Sequence, residues 1–369
     1  MIEKEMGYRG SKLNKGNTLF VKEQRVDGSY VNKLTLRYTL TGFERNYQIK
    51  TLSNQINQIR TYSANNISQK KDVMGLINPW FMTGFTDAEG TFSISIQHNE
   101  NYDTNWRVKP VFAIGLHSKD IDILENIKYF WKVGNIHKHG RYSLQYRVES
   151  IKDLQVIIDH FDRYPLVTCK RVDYDIFKQA FILIKERKHL KDLGLLKIVG
   201  LKSILNLGLT TKLKQKFPTW KDIEVNKPEY IFKDIPNSQW MAGFSSGDSS
   251  FNIKISKSLT SKLSTRVQLR FSIDLHIREK ELINSCVKFF NLTEDKYVYL
   301  KSNSVSLQIT NLKDISNVII PFFSKYPIKG KKSLDFKEFE KVVTMVNNKQ
   351  HLTQEGLDQI LTIKSNMNQ

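Results

Sequence analysis

Trp80-Phe81-Met82-Thr83-Gly84-Phe85-Thr86-Asp87-Ala88-Glu89-Gly90 is the stretch on which the reading of this chain turns. It follows Asn78-Pro79, a capping residue and then a proline suited to a first helical turn. It stops at an acid followed by glycine, so the pattern predicts a short apolar helix ending near Glu89. A second copy, Trp240-Met241-Ala242-Gly243-Phe244-Ser245-Ser246-Gly247-Asp248-Ser249, carries the acid from position 89 to position 248, a shift of 159. In both copies small residues recur four apart: Gly84 and Ala88, then Gly243 and Gly247. That spacing puts them on one helix face, where two backbones can approach closely. The two helices are therefore expected to pair across a pseudo-two-fold axis and to bring Glu89 and Asp248 together.

Outward from each helix the same order of elements is expected. Residues 91–97 alternate, with Phe92, Ile94 and Ile96 on one face, and residues 107–116 do the same. A helix over 120–133, a hairpin over 135–148 turning at Gly140, and two or three helices between 152 and 206 complete the unit. The scheme restarts after a Lys-, Asp- and Pro-bearing stretch. A shift of 162 superposes Tyr164-Pro165 on Tyr326-Pro327, Lys170 on Lys332, Asp173 on Asp335 and His189-Leu190 on His351-Leu352. The chain is a tandem duplication. The expected divisions are a basic, loosely ordered extension or leader at 1–77, a first unit at 78–217, a linker at 218–236 and a second unit at 237–369. Residues 30–40 could instead form one hairpin strand.

Of the 369 residues, 57 are Lys or Arg and 37 Asp or Glu, a formal charge of +20 that calls for a polyanionic partner. No apolar run reaches the ~18–20 residues a membrane span needs, so no membrane partner is expected. Cys169 and Cys286 have neither the number nor the spacing for a disulfide framework or a zinc site. His137 and His139 have no third ligand beside them and read as polar surface.

Two carboxylates at helix C-terminal ends sit at the negative end of each helix dipole and beside one another. They would repel a phosphate backbone unless a divalent cation intervenes. Oxygen ligands and a phosphate substrate favour Mg²⁺, or another divalent ion such as Mn²⁺, which implies metal-assisted phosphodiester hydrolysis. The polar strand faces supply Ser93, Ser95, Gln97, Arg107, Lys109, Gln145 and Arg147 in the first unit. The second supplies Asn252, Lys254, Arg266, Gln268, Arg270 and Gln308. These are side chains that read base edges in the major groove, so the expected partner is double-stranded DNA.

These residues resemble the LAGLIDADG homing endonucleases, in the single-chain, two-motif form encoded by introns of fungal mitochondria and other organelles. The resemblance covers roughly residues 74–369 and rests on both helices and three further motifs. These are His117-Ser118-Lys119-Asp120, His160-Phe161-Asp162-Arg163-Tyr164-Pro165-Leu166, and His351-Leu352-Thr353-Gln354-Glu355-Gly356-Leu357. Tyr38-Thr39-Leu40-Thr41-Gly42-Phe43-Glu44-Arg45-Asn46-Tyr47 is similar to the leader preceding such domains. The resemblance implies an α+β fold: an αββαββα unit used twice, each with an antiparallel, saddle-shaped sheet on DNA, paired through the motif helices in a monomer. It implies that Glu89 and Asp248 bind the catalytic metals with the carbonyls of Ala88 and Gly247, and that Lys296 assists the active-site water. It further implies double-strand cleavage leaving 3′ overhangs, promoting intron mobility. The implied compartment is the mitochondrion, with an organelle-encoded product that needs no presequence. The alternative is an intron maturase, which would bind its host intron's RNA. Four positions depart from the family pattern: Asp248-Ser249 for Glu-Gly, Leu275 for Gln, and Glu279 for Asp.

Overall fold

The computed structural model describes residues 77–367 apart from 260 and 262. The expectations made for residues 1–76 lie outside the described residues. Asn78 accepts the Trp80 amide at 2.9 Å and Pro79 opens helix α1 (Pro79–Glu89). The chain runs directly into β1 (Gly90–His98) and returns as β2 (Trp106–His117). Helix α2 (Ile121–Trp131) leads to β3 (Asn135–Lys138) and β4 (Ser143–Val148). Then come α3 (Ile151–Arg163), α4 (Lys170–Lys185), α5 (Asp192–Ser203) and α6 (Thr211–Lys216). Periodicity alone carries α2 to residue 133. The structure ends it earlier because Lys132 takes the left-handed conformation at φ 57°, which closes the helix with its amide on Lys128 O.

The second unit repeats this order. Asn237 caps α7 (Ser238–Asp248), followed by β5 (Ser249–Lys257), β6 (Thr265–His276) and α8 (Lys280–Phe289). A single turn, α9 (Glu294–Tyr297), precedes β7 (Val298–Leu300) and β8 (Ser304–Ile309). Where the first unit has the continuous α3, the second has a short α10 (Leu312–Asp314), a wide turn at Ile315–Ile319 and α11 (Ile320–Lys325). Pro321 lies in the first turn of α11, just after this break; it has no amide to donate back to the preceding turn. Helices α12 (Lys332–Asn347) and α13 (Gln354–Asn366) close the unit.

Each sheet has four antiparallel strands, in the orders β1-β2-β4-β3 and β5-β6-β8-β7. The fold is α+β with two like halves. One face of each sheet is covered by helices through an aromatic cluster. Phe92 lies 5.1, 5.6, 5.4 and 5.3 Å, centroid to centroid, from Phe112, Phe161, Tyr174 and Phe177. Phe251 stands 5.2, 5.6, 5.3 and 5.4 Å from Phe271, Phe323, Phe336 and Phe339, the same positions one repeat later. Rings at such spacings in tilted and edge-on pairs fix the helices over the strands, beyond the area they bury. The opposite face of each sheet is left for solvent or a partner.

The stretch between the repeats has little regular structure but is packed. Trp220, Ile223, Val225 and Tyr230 lie against the first unit's core, and the Tyr230 hydroxyl donates to Val167 O at 2.6 Å. Ile235 belongs to the second unit's core.

Candidate active site

The motif helices meet backbone to backbone. A methyl on Gly84 would collide with the Trp240 carbonyl and lie 2.8 Å from the Phe244 nitrogen. One on Gly243 would strike the Phe81 carbonyl and lie 2.9 Å from the Phe85 nitrogen. At the far end, a methyl on Gly247 would lie 3.0 Å from Glu89 Cγ and 3.3 Å from Glu89 Oε1. Small residues four apart thus create the contact and carry the two acids to one place.

Glu89 and Asp248 are both half-buried there. Burial raises each carboxyl's pKa, and the Glu89 charge beside Asp248 adds to the effect, so that Asp248 is pushed up to about 7. Two lysines counter this. Lys170 Nζ donates to Thr86 O and Ala88 O at 3.0 and 3.3 Å. Lys332 Nζ donates to Ser245 O at 3.3 Å and to Gly247 O. Each ammonium therefore binds carbonyls in the last turn of one motif helix, where the dipole is negative and a cation is favourable. Burial lowers both lysines' pKa, and the facing carboxylates oppose that fall. Sequence reading used Lys170 and Lys332 only as proof of duplication. Their identity under the same shift was the available signal for chemistry.

Asp87 is a second residue that sequence reading passed over. It is fully buried, and its Oδ2 accepts from Val167 N at 2.9 Å and Trp240 Nε1 at 2.8 Å. Its Oδ1 accepts the Thr168 amide at 3.1 Å and hydroxyl at 2.7 Å. One carboxylate thereby ties α1 to α7 and to the loop that delivers Lys170. Ser246 stands in its place in α7, accepting the Lys329 amide at 3.1 Å. The acids of the 117–120 and 276–279 motifs reach across the pseudo-axis. Asp120 Oδ1 accepts Lys331 N at 2.7 Å, ahead of α12, and Glu279 Oε1 accepts Cys169 N at 3.0 Å, ahead of α4. Glu279 keeps the role of its counterpart with one more methylene.

Ser249 costs less than its departure from glycine implied. Gly90 and Ser249 are both extended, at φ −76° and −98°, so neither needs the freedom of glycine. Space is what differs. A methyl on Gly90 would meet the Thr86 side chain and lie 2.7 Å from Thr86 O, whereas Ser245 in α7 lacks that γ-methyl and the Ser249 hydroxyl donates to Ser245 O at 2.6 Å. Gly90→Ala is therefore expected to lower thermal stability by about 1–3 kcal/mol, and Ser249→Gly by under ~1 kcal/mol. Paired thermal melts check this; equal losses would contradict it.

Register places these polar strand residues on the uncovered faces. Ser95 opposes Lys109 and Gln97 opposes Arg107; Gln145 and Arg147 oppose Gly115 and Ala113. In the second unit Asn252 opposes Arg270, Lys254 opposes Gln268, and Ser256 opposes Arg266, while Gln308 opposes Ser272 and lies 3.5 Å from Arg270. Ser93 is the exception in exposure, and two of the cations have a partner within the chain. Ser93 is on that face but only 4% exposed, with its hydroxyl turned to Val111 O at 3.4 Å, so packing removes it from a partner's reach. Lys109 and Arg147 are engaged by Glu149, at 3.2 and 2.7 Å.

The exposed Lys296 ammonium pairs with Asp314 at 3.2 Å. The lysines whose charges act on Glu89 and Asp248 are Lys170 and Lys332. The donor set fits a hard cation. Two carboxylates and the Ala88 and Gly247 carbonyls are all oxygen ligands, and Asp248 Oδ2 is buried with no hydrogen-bond partner.

Comparison with known proteins gives the same picture. The profile described as LAGLIDADG endonuclease matches residues 82–181 and 241–343. A relative named probable intron-encoded endonuclease 3, from Neurospora crassa, is 37% identical over 377 residues, covering 98% of this chain and 69% of its own. The crystal structure of the LAGLIDADG meganuclease I-CpaMI bound to uncleaved DNA superposes with a TM-score of 0.77 at 52% identity, covering 79% of this chain and 99% of that one. I-SmaMI bound to an uncleaved DNA target in the presence of calcium ions gives a TM-score of 0.76 at 37% identity, over 79% and 99% of the two chains.

Proposed function

The chain belongs to the LAGLIDADG endonuclease family, and from that premise we infer that it is a homing endonuclease cutting both strands of a long DNA site. The observation that carries this reading is the carboxylate pair at the joined ends of α1 and α7, set between two sheets with donor-rich faces. Glu89 and Asp248, with the carbonyls of Ala88 and Gly247, would hold the divalent ion, Mg²⁺ or Mn²⁺. When bound, that ion supplies charge neutralisation and an activated water for phosphodiester hydrolysis. The chain's own groups do the rest. Lys170 and Lys332 hold the helix ends and offset the acids' mutual repulsion. Arg107, Arg266, Arg270 and their neighbours, on strands that each span close to one helical turn of duplex, position the DNA. Both acids come from one chain, so a monomer suffices. Units at 78–217 and 237–369 each take half of the target. The fungal intron-encoded relative supports an organellar gene, and the compartment proposed is the mitochondrion.

The test is incubation of the purified chain and Mg²⁺ with a duplex spanning the joined exons of the host gene, then sequencing of the product ends. Staggered breaks with 3′ overhangs at one site are expected. Loss of host-intron splicing on deletion of the chain, with no cleavage of any duplex, would instead give the basic faces to intron RNA.

A pH effect follows from Asp248. Its carboxyl, ordinarily near 3.8, is raised to about 7 by burial and then by Glu89. The folded state therefore binds that proton more tightly than the unfolded chain, and metal-free protein should lose stability as pH rises between those values. A cation competes with the proton. Mg²⁺ is expected to raise the melting temperature at pH 8 and to leave it unchanged at pH 5; equal stabilisation at both would count against a metal on Asp248.

A further inference from the structure

We propose that Asp274 is a specificity determinant, which selects cytosine at a position in the second unit's half of the target, next to the cleaved centre. The inference rests on the reading of the sheet faces as the DNA surface. The uncovered face of the second sheet is built from neutral and cationic side chains, with Asp274 as its one carboxylate among the described residues. An acid facing a polyanion is repelled unless it meets a donor. Glu149, the acid at the edge of the first face, has such donors within the chain, in Lys109 and Arg147. Asp274 does not. It is exposed, and its one hydrogen bond among the described residues comes from the Ser272 hydroxyl at 3.3 Å, to Oδ2. Oδ1 and the remaining capacity of Oδ2 are left as acceptors for a donor from outside the described residues.

In the major groove the donors are the exocyclic amines of cytosine and adenine. Guanine presents N7 and O6, thymine O4, and adenine sets the N7 acceptor beside its amine. A carboxylate is thus repelled by guanine and thymine, partly repelled by adenine and best satisfied by cytosine N4. Register gives the place. Ile273 pairs with Ser249, the residue after Asp248, so Asp274 stands at the catalytic end of the sheet. The first unit has Gly115 at the equivalent position, where an added methyl would meet nothing nearer than Gln145 Nε2 at 4.0 Å. The two half-sites are consequently read differently beside the centre: by a carboxylate on one side and by an open gap on the other.

The experiment is selection of bound duplexes from a randomised pool, at fixed salt and in Ca²⁺, by wild type, Asp274→Asn, Asp274→Ala and Arg270→Ala, with thermal melts as the control for folding. Wild type should show cytosine at one near-central position of one half-site. Both Asp274 variants should lose that preference by roughly 5- to 100-fold, the range of one good base contact, with other positions unchanged. Arg270→Ala should alter a different position in the same half. If Arg270→Ala shifts a preference and the Asp274 variants do not, or if they only tighten binding to all sequences alike, the assignment of Asp274 is overturned and the DNA surface stands. If no variant shifts any position, both are overturned.

Discussion

Glu89→Gln and Asp248→Asn are each expected to lower double-strand cleavage by at least ~10²–10³-fold, the scale of removing one preorganised charge from an active site. Duplex affinity should stay within a few-fold or rise, because each change removes a negative charge from a surface that faces phosphate. The amides are close in size to the acids, so packing against Ala88 and Gly247 is preserved. A supercoiled plasmid carrying the target separates the outcomes, since nicked and linear products run apart. Linear product from the double variant would show that the hydrolysis does not depend on this pair. Lys170 and Lys332 set a further expectation. Each is half-buried against these acids, so removing both charges should destabilise the helix ends, seen as a lower melting temperature in the double variant than in either single one.

The second large effect is at the helix pair. Gly243→Val would drive branched carbons into the Phe81 carbonyl and the Phe85 nitrogen, which are backbone and have nowhere to turn. Overpacking of this kind costs about 3 kcal/mol, the upper end of its usual range, or roughly 4–5 °C in melting temperature for a chain of this size. Cleavage should fall with it, because separating the helices separates Glu89 from Asp248. A variant with unchanged melting temperature and activity would mean that α1 and α7 do not meet here. Ala88→Gly offers a contrast: it lies on the same face, removes a contact without creating a clash, and should cost only about 1 kcal/mol.

Much of this arrangement was legible in the sequence because it rests on periodicity. Alternation along residues 91–97 and 107–116 predicts which side chains share a face, and the register of β1 with β2 agrees. Gly84 and Gly243 announce a close approach because little but contact calls for paired glycines inside two helices. Contacts that depend on tertiary placement were not legible. Asp87 looks like one more acid near a helix end, yet it lies fully buried under four donors from two distant segments. Ser93 fits the polar alternation but sits where the sheet packs too tightly to expose it. Lys170 and Lys332, from α4 and α12, the same element in each repeat, place their charges beside the two acids, a placement that no local pattern announces. The departure at Ser249 is explained by local space. The chain needs an extended residue there, and Ser245 leaves the room that Thr86 denies at Gly90.

The central claim is that one divalent ion site lies between the two motif helices, on Glu89 and Asp248. Crystals of the protein with its duplex target, grown with Mn²⁺ and measured at the manganese absorption edge, test it directly. The anomalous map is predicted to peak between the two carboxylates and beside the carbonyls of Ala88 and Gly247. Manganese bound elsewhere on a cleavage-competent complex, with no peak between α1 and α7, would contradict it.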